Sequence, residues 1–314
     1  MKILLYNSEY KDQWDDLVRN SRNGTFLHQR NFIEYHRGRF RELSFMIYDD
    51  KDRLLAVMPG HIENKSYYSH QGLTYGGLVL SNDIGAKCVL DIFEHLIFTF
   101  RQQGFTRFVY KAIPHIYHRQ PSEEDLYALF RLKAFVCERN ISSTIDLRNC
   151  RIEYSTQRKN SLDRARRKEI TVQRSEDYAS FWGILADNLF SKYKKSPVHT
   201  LPEIELLGRL FPDNINLYLA CDKEGEIIGG TVLFITDQVV HVQYIAATED
   251  GKRNGTIDQL INFILNSDIF SDKKYFDYGV STECGGYYLN EDLINQKEGF
   301  GARATLYDIY EIIL

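Results

Sequence analysis

The sequence predicts an α/β protein with mixed sheets, composed of two tandem copies of one unit, domains 1–148 and 149–314. A hairpin pattern with a charged turn occurs once in each half, at 44–62 and at 217–235. Two helix patterns precede each hairpin, and a strand, an amphipathic helix and a short aromatic strand follow it. This shared order indicates an internal duplication.

The elements of the two halves can be matched in chain order. When Asp49 is aligned with Asp222 in the hairpin turns, Leu54 aligns with Ile227. In the upstream helices, Trp14 of the first half matches Phe181 or Trp182 of the second. The predicted segments of the first half are helices in 11–36, the hairpin, a strand at 73–80, a helix at 86–102 and a strand at 107–110. Those of the second half are helices in 175–210, the hairpin, a strand at 239–247, a helix at 256–266 and a strand at 275–278.

The order of elements also predicts the topology of each sheet. Two strands joined by one helix run parallel with a right-handed crossover, whereas the hairpin makes the rest of the sheet antiparallel. A ligand is then expected beyond the carboxyl ends of the parallel strands.

Composition excludes several classes of function. The chain has 314 residues, 43% hydrophobic residues and a formal net charge of -4, so no overall positive field attracts DNA or an anionic membrane. Its five cysteines and nine histidines lack metal-ligand spacing, and no metal site is predicted. Without a signal peptide or a run of about 20 apolar residues, the sequence predicts a cytoplasmic protein.

A glycine-containing segment between the strand HVQYIAAT and the helix TIDQLINFIL is a candidate anion site. Loop amides and a helix N-terminus at this position can bind phosphate, and two cations add positive charge. A simple turn, with Thr256 and Gln259 as a capping box, explains the same residues. The candidate donor-binding residues are Gly251, Lys252, Arg253, Asn254, Gly255 and Thr256.

A basic helix pattern, QRKNSLDRARRKEITV at 157–172, opens the second half. Six cations in an otherwise acidic protein can clamp phosphate groups, and Arg158 and Arg164 are the candidate substrate-binding residues. A solvated helix that connects the two halves is the equally weighted alternative.

The duplicated order, the basic helix, the segment HVQYIAATEDGKRNGTIDQL and the late NQKEGFGAR resemble the FemAB-like (FemABX) family. Members consist of two tandem GNAT-type acyltransferase domains, and the closing stretch STECGGYYLNEDLINQKEGFGARATLYD is similar to the smaller members of bacterial envelope and surface-glycan synthesis. The resemblance covers nearly the whole chain, and it implies transfer of an acyl group to an amine.

The resemblance also implies the partners. Acetyl-CoA or another acyl-CoA is the expected donor, with its pantetheine arm between the strands of Tyr244 and Phe276, although the loop departs from the usual GNAT glycine spacing. The acceptor is a small-molecule, lipid-linked or nucleotide-linked glycan precursor, and Tyr75 and Gly76 are its candidate contacts. One alternative is aminoacyl transfer from charged tRNA to a peptidoglycan precursor, which the missing coiled-coil arm disfavours. Another is a non-catalytic binding protein.

Aminolysis of a thioester or ester needs a neutral amine, a stabilised oxyanion and a proton for the leaving group. Glu283 and Tyr244 are the candidates for proton transfer, and Lys297 corresponds to the family's lysine before Phe-Gly. Locally, LINQKEGFG also describes the end of a helix, with a lysine in the last turn and Gly299 as a left-handed stop.

Overall fold

The computed structural model describes residues 1–36, 38–148 and 153–314, and the chain forms two compact units. The first unit comprises Met1–Ile141, Thr282–Leu289 and Thr305–Leu314, and the second comprises Ser142–Ser281 and Asn290–Ala304. The sequence division at 148/149 did not anticipate that two late segments group with the first unit. Residues 149–152, next to that division, lie outside the described part of the chain.

Among its described residues, the first unit contains two larger sheets, the two-stranded hairpin β15–β16 given below, and four α-helices. One sheet has the order β1-β3-β4-β7, and the strands of the other lie in the order β2-β5-β6-β8-β17-β9. In chain order the elements begin with β1 (Lys2–Leu5), α1 (Lys11–Asn20), α2 (Arg30–Ile33), β2 (Arg41–Glu42), β3 (Phe45–Tyr48), β4 (Leu54–Met58) and β5 (His61–Glu63). They continue with β6 (Ser66–Tyr68), β7 (Val79–Leu80), α3 (Ala86–Gln102), β8 (Arg107–Lys111), α4 (Glu124–Arg131) and β9 (Phe135–Asp146).

The second unit is a mixed sheet of order β10-β11-β12-β13-β14 with the end of β9 beside β14. Its elements are α5 (Thr156–Arg167), β10 (Thr171–Ser175), α6 (Tyr178–Tyr193), α7 (Leu201–Leu210), β11 (Ile215–Cys221), β12 (Ile227–Ile235), β13 (Val239–Ala247), α8 (Glu249–Asn254), α9 (Thr256–Leu265) and β14 (Tyr275–Val280). The chain ends with β15 (Thr282–Glu283), β16 (Tyr288–Leu289), α10 (Glu291–Glu298) and β17 (Arg303–Ile313).

The internal duplication is confirmed by the hairpin turns. Asp49 Oδ1 accepts hydrogen bonds from the amides two and four residues later, at 2.9 and 3.0 Å. Asp222 Oδ1 does the same at 3.1 and 2.9 Å. The third residue after each aspartate has a positive φ, 57° at Asp52 and 86° at Gly225. The alignment of Asp49 with Asp222 therefore holds at the level of single hydrogen bonds.

The tryptophan anchors show the same repetition. Trp14 Nε1 donates to the carbonyl of His28 at 2.8 Å, and Trp182 Nε1 donates to the carbonyl of His199 at 3.2 Å. In each unit a buried indole thus fixes the loop that leads to the next helix. Trp182, rather than Phe181, is the equivalent of Trp14.

Amphipathic helices supply the two cores. Helix α3 buries side chains at helical spacing against β3, β4 and β8, and it ends at Gly104, where φ is +79° and Phe105 N bonds to Phe100 O. Helix α9 buries Leu260, Ile261 and Ile264 against β11 to β14 in the same way. Each sheet therefore has a helix-covered apolar face that positions the polar residues described below.

The predicted strand at 73–80 was largely wrong. Only Val79–Leu80 is extended, and it pairs with β4, whereas the strand that runs parallel to β8 is β6 at Ser66–Tyr68. The intervening residues 69–78 form a loop rich in glycine, which weakens a strand. The single strand β13 of the second unit thus corresponds to two short strands in the first.

We predict that Gly255→Ala destabilises the protein more than Gly225→Ala. Both glycines have φ near +87°, at 87° and 86°, where an L side chain costs about 1–2 kcal/mol. A Cβ at Gly255 would lie 2.3 Å from the carbonyl oxygen of Ser161, whereas a Cβ at Gly225 has no neighbour within 4 Å. Urea unfolding should show an additional loss of about 1–3 kcal/mol for Gly255→Ala. Equal losses of unfolding free energy in the two variants would contradict the close contact between Gly255 and Ser161 of α5.

Candidate active site

The parallel strands of the second unit pair over a short distance. Val239, Val240 and His241 of β13 lie opposite Tyr275, Phe276 and Asp277 of β14, and within the described residues the parallel pairing ends there. A bulge in β13 follows, because the register with β12 shifts by one residue at Gln243. Bulges next to the ends of strands redirect side chains and are common beside active sites. The carboxyl ends of β13 and β14 are therefore the place where the sequence predicts a ligand.

Lys297 of α10 is directed at the backbone just beyond this point. Its Nζ donates to the carbonyls of Gly279 and Val280 at 2.7 and 2.9 Å and to Ser281 Oγ at 2.9 Å. An ammonium group has three N–H donors, and these three acceptors can engage all of them. Burial lowers the pKa of Lys297 to about 8, against the opposing effect of the Asp277 charge. The lysine thus fixes the end of β14 and brings a positive charge to it.

Helix α10 holds Lys297 through its two ends. The Asn290 side chain accepts a hydrogen bond from Leu293 N and caps the first turn. The predicted left-handed stop at Gly299 was wrong, because Gly299 has a helical φ of -59° and Gly301 has the positive φ of 93°. Phe300 is buried and stacks on Tyr278 with ring centroids 5.9 Å apart.

A buried carboxylate, Asp277, lies in the same cluster and was missed by the sequence analysis. It is 0% exposed and accepts hydrogen bonds from Ser142 Oγ at 2.5 Å and Thr144 Oγ1 at 2.9 Å. His241 Nδ1 lies 2.8 Å from its other oxygen. A charged group buried this deeply requires such partners. The arrangement brings together a carboxylate and an imidazole that are 36 residues apart.

Tyr244 forms a second polar pair, with His199. The hydroxyl lies 2.5 Å from His199 Nδ1, and the backbone amide of His199 donates to it at 3.3 Å. Because the amide supplies one proton, the tyrosine hydroxyl can donate its own to the imidazole. The indole of Trp182 packs edge-on against the Tyr244 ring. His199 was not predicted from the sequence, since nothing in its surroundings marks it as a partner of β13.

His241 and the Tyr244–His199 pair lie on one face of the sheet. Phe234 is directly opposite His241 in the antiparallel ladder, so their side chains project from the same face. The ring of His199 contacts Phe234 with centroids 6.2 Å apart. The second unit therefore presents two imidazoles and a phenol along β13.

Glu283, the other candidate for proton transfer, is placed differently. It lies in β15, which pairs with β16 through Glu283 and Tyr288, and its side chain is exposed. This hairpin belongs to the first unit, whereas Tyr244 and Lys297 belong to the second. The structure gives Glu283 no partner of the kind that orients His241 or Tyr244 among the described hydrogen bonds.

The predicted anion-binding loop is mostly helical. Residues Glu249–Asn254 form α8, which is capped by the Thr248 side chain and carries acids in its first turn and bases in its last. Lys252 and Arg253 are paired with Glu249 and Asp250 at 2.6 Å. Acids in the first turn and bases in the last stabilise this short helix, where the sequence analysis expected an open loop.

The residues that follow α8 lie close to α5. Gly255 is left-handed and close-packed against Ser161, and it occupies the N-cap of α9. The predicted capping box of Thr256 and Gln259 was therefore wrong, and Thr256 is buried. Asn254, the last residue of α8, is half-buried.

The basic helix α5 has two kinds of cation. Arg158 is directed inward and forms an ion pair with Asp258 of α9, with Nη1 and Oδ1 2.9 Å apart. Burial raises the pKa of Asp258, while the Arg158 and Arg164 charges oppose that effect. Arg164 is exposed and donates to Ser161 Oγ at 2.8 Å. Exposed cations also cover the outer surface of α5: Lys159, Arg166, Arg167 and Lys168.

The two candidate acceptor contacts of the first unit are part of its interior. Tyr75 is 1% exposed, and its hydroxyl donates to Thr25 Oγ1 at 3.2 Å. A Cβ on Gly76 would lie 1.6 Å from the carbonyl oxygen of Ser69, so this glycine serves close backbone packing. The expectation that both residues face a ligand does not agree with these positions.

The loop that contains them occupies the edge of β8. Ser69 N bonds to Val109 O at 2.9 Å, and Gly76 N bonds to Lys111 O at 3.1 Å. Lys111 Nζ in turn donates to the carbonyl of Leu73 at 2.5 Å. In the first unit, the backbone of this loop therefore occupies the position that corresponds to the carboxyl ends of β13 and β14.

No protein-family model and no curated protein matches the chain. Solved structures do. A crystal structure of FemX matches with a TM-score of 0.68 at 10% identity over 100% of this chain and 98% of the other. The chain has the tandem GNAT fold. The C-terminal domain of a putative lysylphosphatidylglycerol synthetase from Agrobacterium fabrum matches at 0.63 and 13% identity, over 98% of this chain and 92% of the other.

A tandem GNAT protein from the clavulanic acid biosynthesis pathway also matches, with a TM-score of 0.54 and 10% identity over 99% of this chain and 98% of the other. These matches confirm the FemAB-like tandem GNAT resemblance at the level of the fold. Identities this low leave the activity to be argued from the site. In the described part of the chain, no helix is long and apolar enough to cross a membrane, and no group of side chains is arranged to hold a metal ion.

We predict that the wild type gains stability relative to Lys297→Met as the pH rises from about 8 to about 10.5. Over this range the folded lysine, with a pKa of about 8, has lost its proton, while the unfolded lysine, with a pKa near 10.5, retains it. The unfolded state then binds more protons, so stability rises with pH. The gain is about 3 kcal/mol at most. Urea unfolding at several pH values measures it, and Lys51→Met, which removes an exposed lysine, is the control.

Proposed function

We propose that the protein is an N-acyltransferase that moves an acyl group from acyl-CoA to an amine of a cell-envelope or surface-glycan precursor. One observation carries this proposal: the parallel pairing of β13 and β14 ends at His241 and Asp277, where the buried Lys297 also binds the backbone. Concentrations of buried ionisable groups at the carboxyl ends of parallel strands are typical of active sites.

The chemistry required is aminolysis of an activated acyl group. The positive charge of Lys297 favours the oxyanion that forms when the amine attacks, although its N–H donors are engaged by the protein. Tyr244, whose hydroxyl is hydrogen-bonded to His199, is proposed to protonate the leaving group. Glu283 remains a candidate for proton transfer on the acceptor side.

The donor's phosphates are proposed to bind around α8 and the start of α9. Lys252 and Arg253 are there, and their ion pairs with Glu249 and Asp250 join exposed side chains, so a phosphate can replace them at little cost. Arg164 of α5 adds an exposed cation close to Asp258; burial raises the pKa of Asp258, and the Arg164 charge opposes that effect. The remaining predicted donor residues, Gly251, Asn254, Gly255 and Thr256, shape the backbone of this region.

Aminoacyl-tRNA is the second candidate donor, and the exposed cations of α5 favour it. Lys159, Arg166, Arg167 and Lys168 are exposed cations of the kind that contact phosphate backbones, although Asp163 pairs with Arg166. The name of a similar structure, lysylphosphatidylglycerol synthetase, describes a product that contains lysine. A non-catalytic binding protein is the third possibility, since a fold alone does not guarantee chemistry.

We predict that acyl-CoA raises the melting temperature of the protein. A ligand at 100 times its Kd stabilises the folded state by about 2.7 kcal/mol. Differential scanning fluorimetry should compare acetyl-CoA, longer acyl-CoAs, aminoacyl-tRNA and nucleotide-linked amino sugars. The double variant K252A/R253A should weaken the acyl-CoA effect, with K51A as the control. If aminoacyl-tRNA raises the melting temperature and no acyl-CoA does, aminoacyl-tRNA replaces acyl-CoA as the proposed donor.

We predict that Lys297→Ala lowers the rate of acyl transfer by about 100-fold or more, because an oxyanion loses its nearby charge. Tyr244→Phe should reduce the rate by a similar factor, since general acid catalysis contributes about 100-fold or more. Thiol release from acyl-CoA in the presence of glucosamine measures both. Circular dichroism checks that the variants are folded. If the wild type binds acyl-CoA but releases no thiol from it, the non-catalytic alternative is indicated.

A further inference from the structure

The Asp277 carboxylate sets the tautomer of His241. An ionised carboxylate accepts hydrogen bonds and cannot donate them. Asp277 already accepts from the hydroxyls of Ser142 and Thr144. The imidazole of His241 therefore donates its Nδ1–H across the 2.8 Å contact with Asp277. A neutral imidazole that donates from Nδ1 has its lone pair on Nε2.

The opposite edge of the His241 ring is next to Gly279. A Cβ built on Gly279 would lie 3.4 Å from His241 Cε1 and 4.0 Å from Nε2. Gly279 has a φ of +75°, which glycine adopts without strain. Its carbonyl is also one of the groups held by Lys297. A residue without a side chain thus stands beside the basic edge of the imidazole, at the place where the parallel pairing ends.

We propose that His241 is the catalytic base of the reaction and that Asp277 is its positioning residue. The proposal rests on the acyltransfer function proposed above. In the step, the amine nitrogen bonds to the acyl carbon as its proton passes to His241 Nε2. The bond from the acyl carbon to the donor's sulfur or oxygen then breaks. The imidazolium passes the same proton to the leaving group, directly or through Tyr244, so the products are an amide and the protonated leaving group.

His241 is better suited to this role than Glu283. The imidazole is held by a buried carboxylate, whereas the Glu283 side chain is exposed on a hairpin. A base fixed by a second hydrogen bond has lost its rotational freedom before the substrate arrives. His241 also lies in the same unit as Lys297 and Tyr244. Carboxylate, imidazole and strand end thus form one preorganised group.

A first experiment examines the resting enzyme and needs no turnover. Nitrogen-15 NMR of histidine-labelled protein should show His241 protonated at Nδ1 and unprotonated at Nε2, with assignment by His241→Gln. In Asp277→Asn the amide can donate to Nδ1, so the proton should move to Nε2. A control with the same chemical change, Asp146→Asn, affects a carboxylate at the other end of the β9–β14 pairing and should leave the spectrum unchanged. A proton on Nε2 in the wild type would overturn the proposal.

Accessibility is tested by reaction with diethylpyrocarbonate, followed by mass spectrometry. His241 should be modified, and acetyl-CoA should protect it, whereas the exposed His95 should react equally with and without acetyl-CoA. Reaction at His95 with none at His241 would show that no substrate amine can reach the ring, and would reject the assignment.

Turnover provides the chemical test, with acetyl-CoA and glucosamine as the probes. His241→Ala should lower kcat by about 100-fold or more while changing the KM for acetyl-CoA little, and added imidazole should restore part of the rate. His95→Ala should behave as the wild type. A folded His241→Ala enzyme with full activity, or one that imidazole does not rescue, would contradict the proposal. If the wild type transfers no acyl group from any donor, the proposed function fails, and the NMR result still decides the state of His241.

Discussion

A single buried carboxylate organises the polar part of the second unit. Asp277 is withdrawn from water, so its charge must be compensated by the protein. Four groups on three elements compensate it: two hydroxyls of β9, an imidazole of β13 and the ammonium of α10. These groups fix the relative positions of the three strands and the late helix. The arrangement of polar groups at the end of β14 therefore follows from the need to compensate one buried charge.

The two copies of the repeat differ most at this position. In the register of the first unit, Tyr68 and Val109 occupy the places that His241 and Asp277 occupy in the second. At the same position of the first unit, the loop 69–78 bonds to the edge of β8, and Lys111 donates to the carbonyl of Leu73 within it. The duplicated frame is kept by the turns and the tryptophans, while the residues at the strand ends differ. This contrast is consistent with the proposal that the second unit carries out the chemistry.

The frame could be predicted from the sequence because its signals are local. The aspartate turns at 49 and 222 and the apolar spacing of α3 and α9 are all visible within a few residues. The His241–Asp277 pair could not be found this way, since each residue interrupts an apolar strand and their relation appears only when the strands pair. Helix α8 was hidden by the glycine within it, Gly251, and the glycine that ends it, Gly255. The packing of Tyr75 depends on a contact with Thr25, far away in sequence. Local patterns thus predict elements, whereas long-range pairing creates the site.

The position of β17 has a consequence for how the protein is made. This strand lies between β8 and β9 in the sheet of the first unit, although its residues, 303–313, are translated after the second unit. A nascent chain that has emerged only as far as β9 carries two strand edges with unsatisfied backbone groups and no partner for them. The first unit therefore closes its sheet only after β17 has been translated. Expression of residues 1–148 alone would leave these strand edges open, and such a fragment is expected to aggregate.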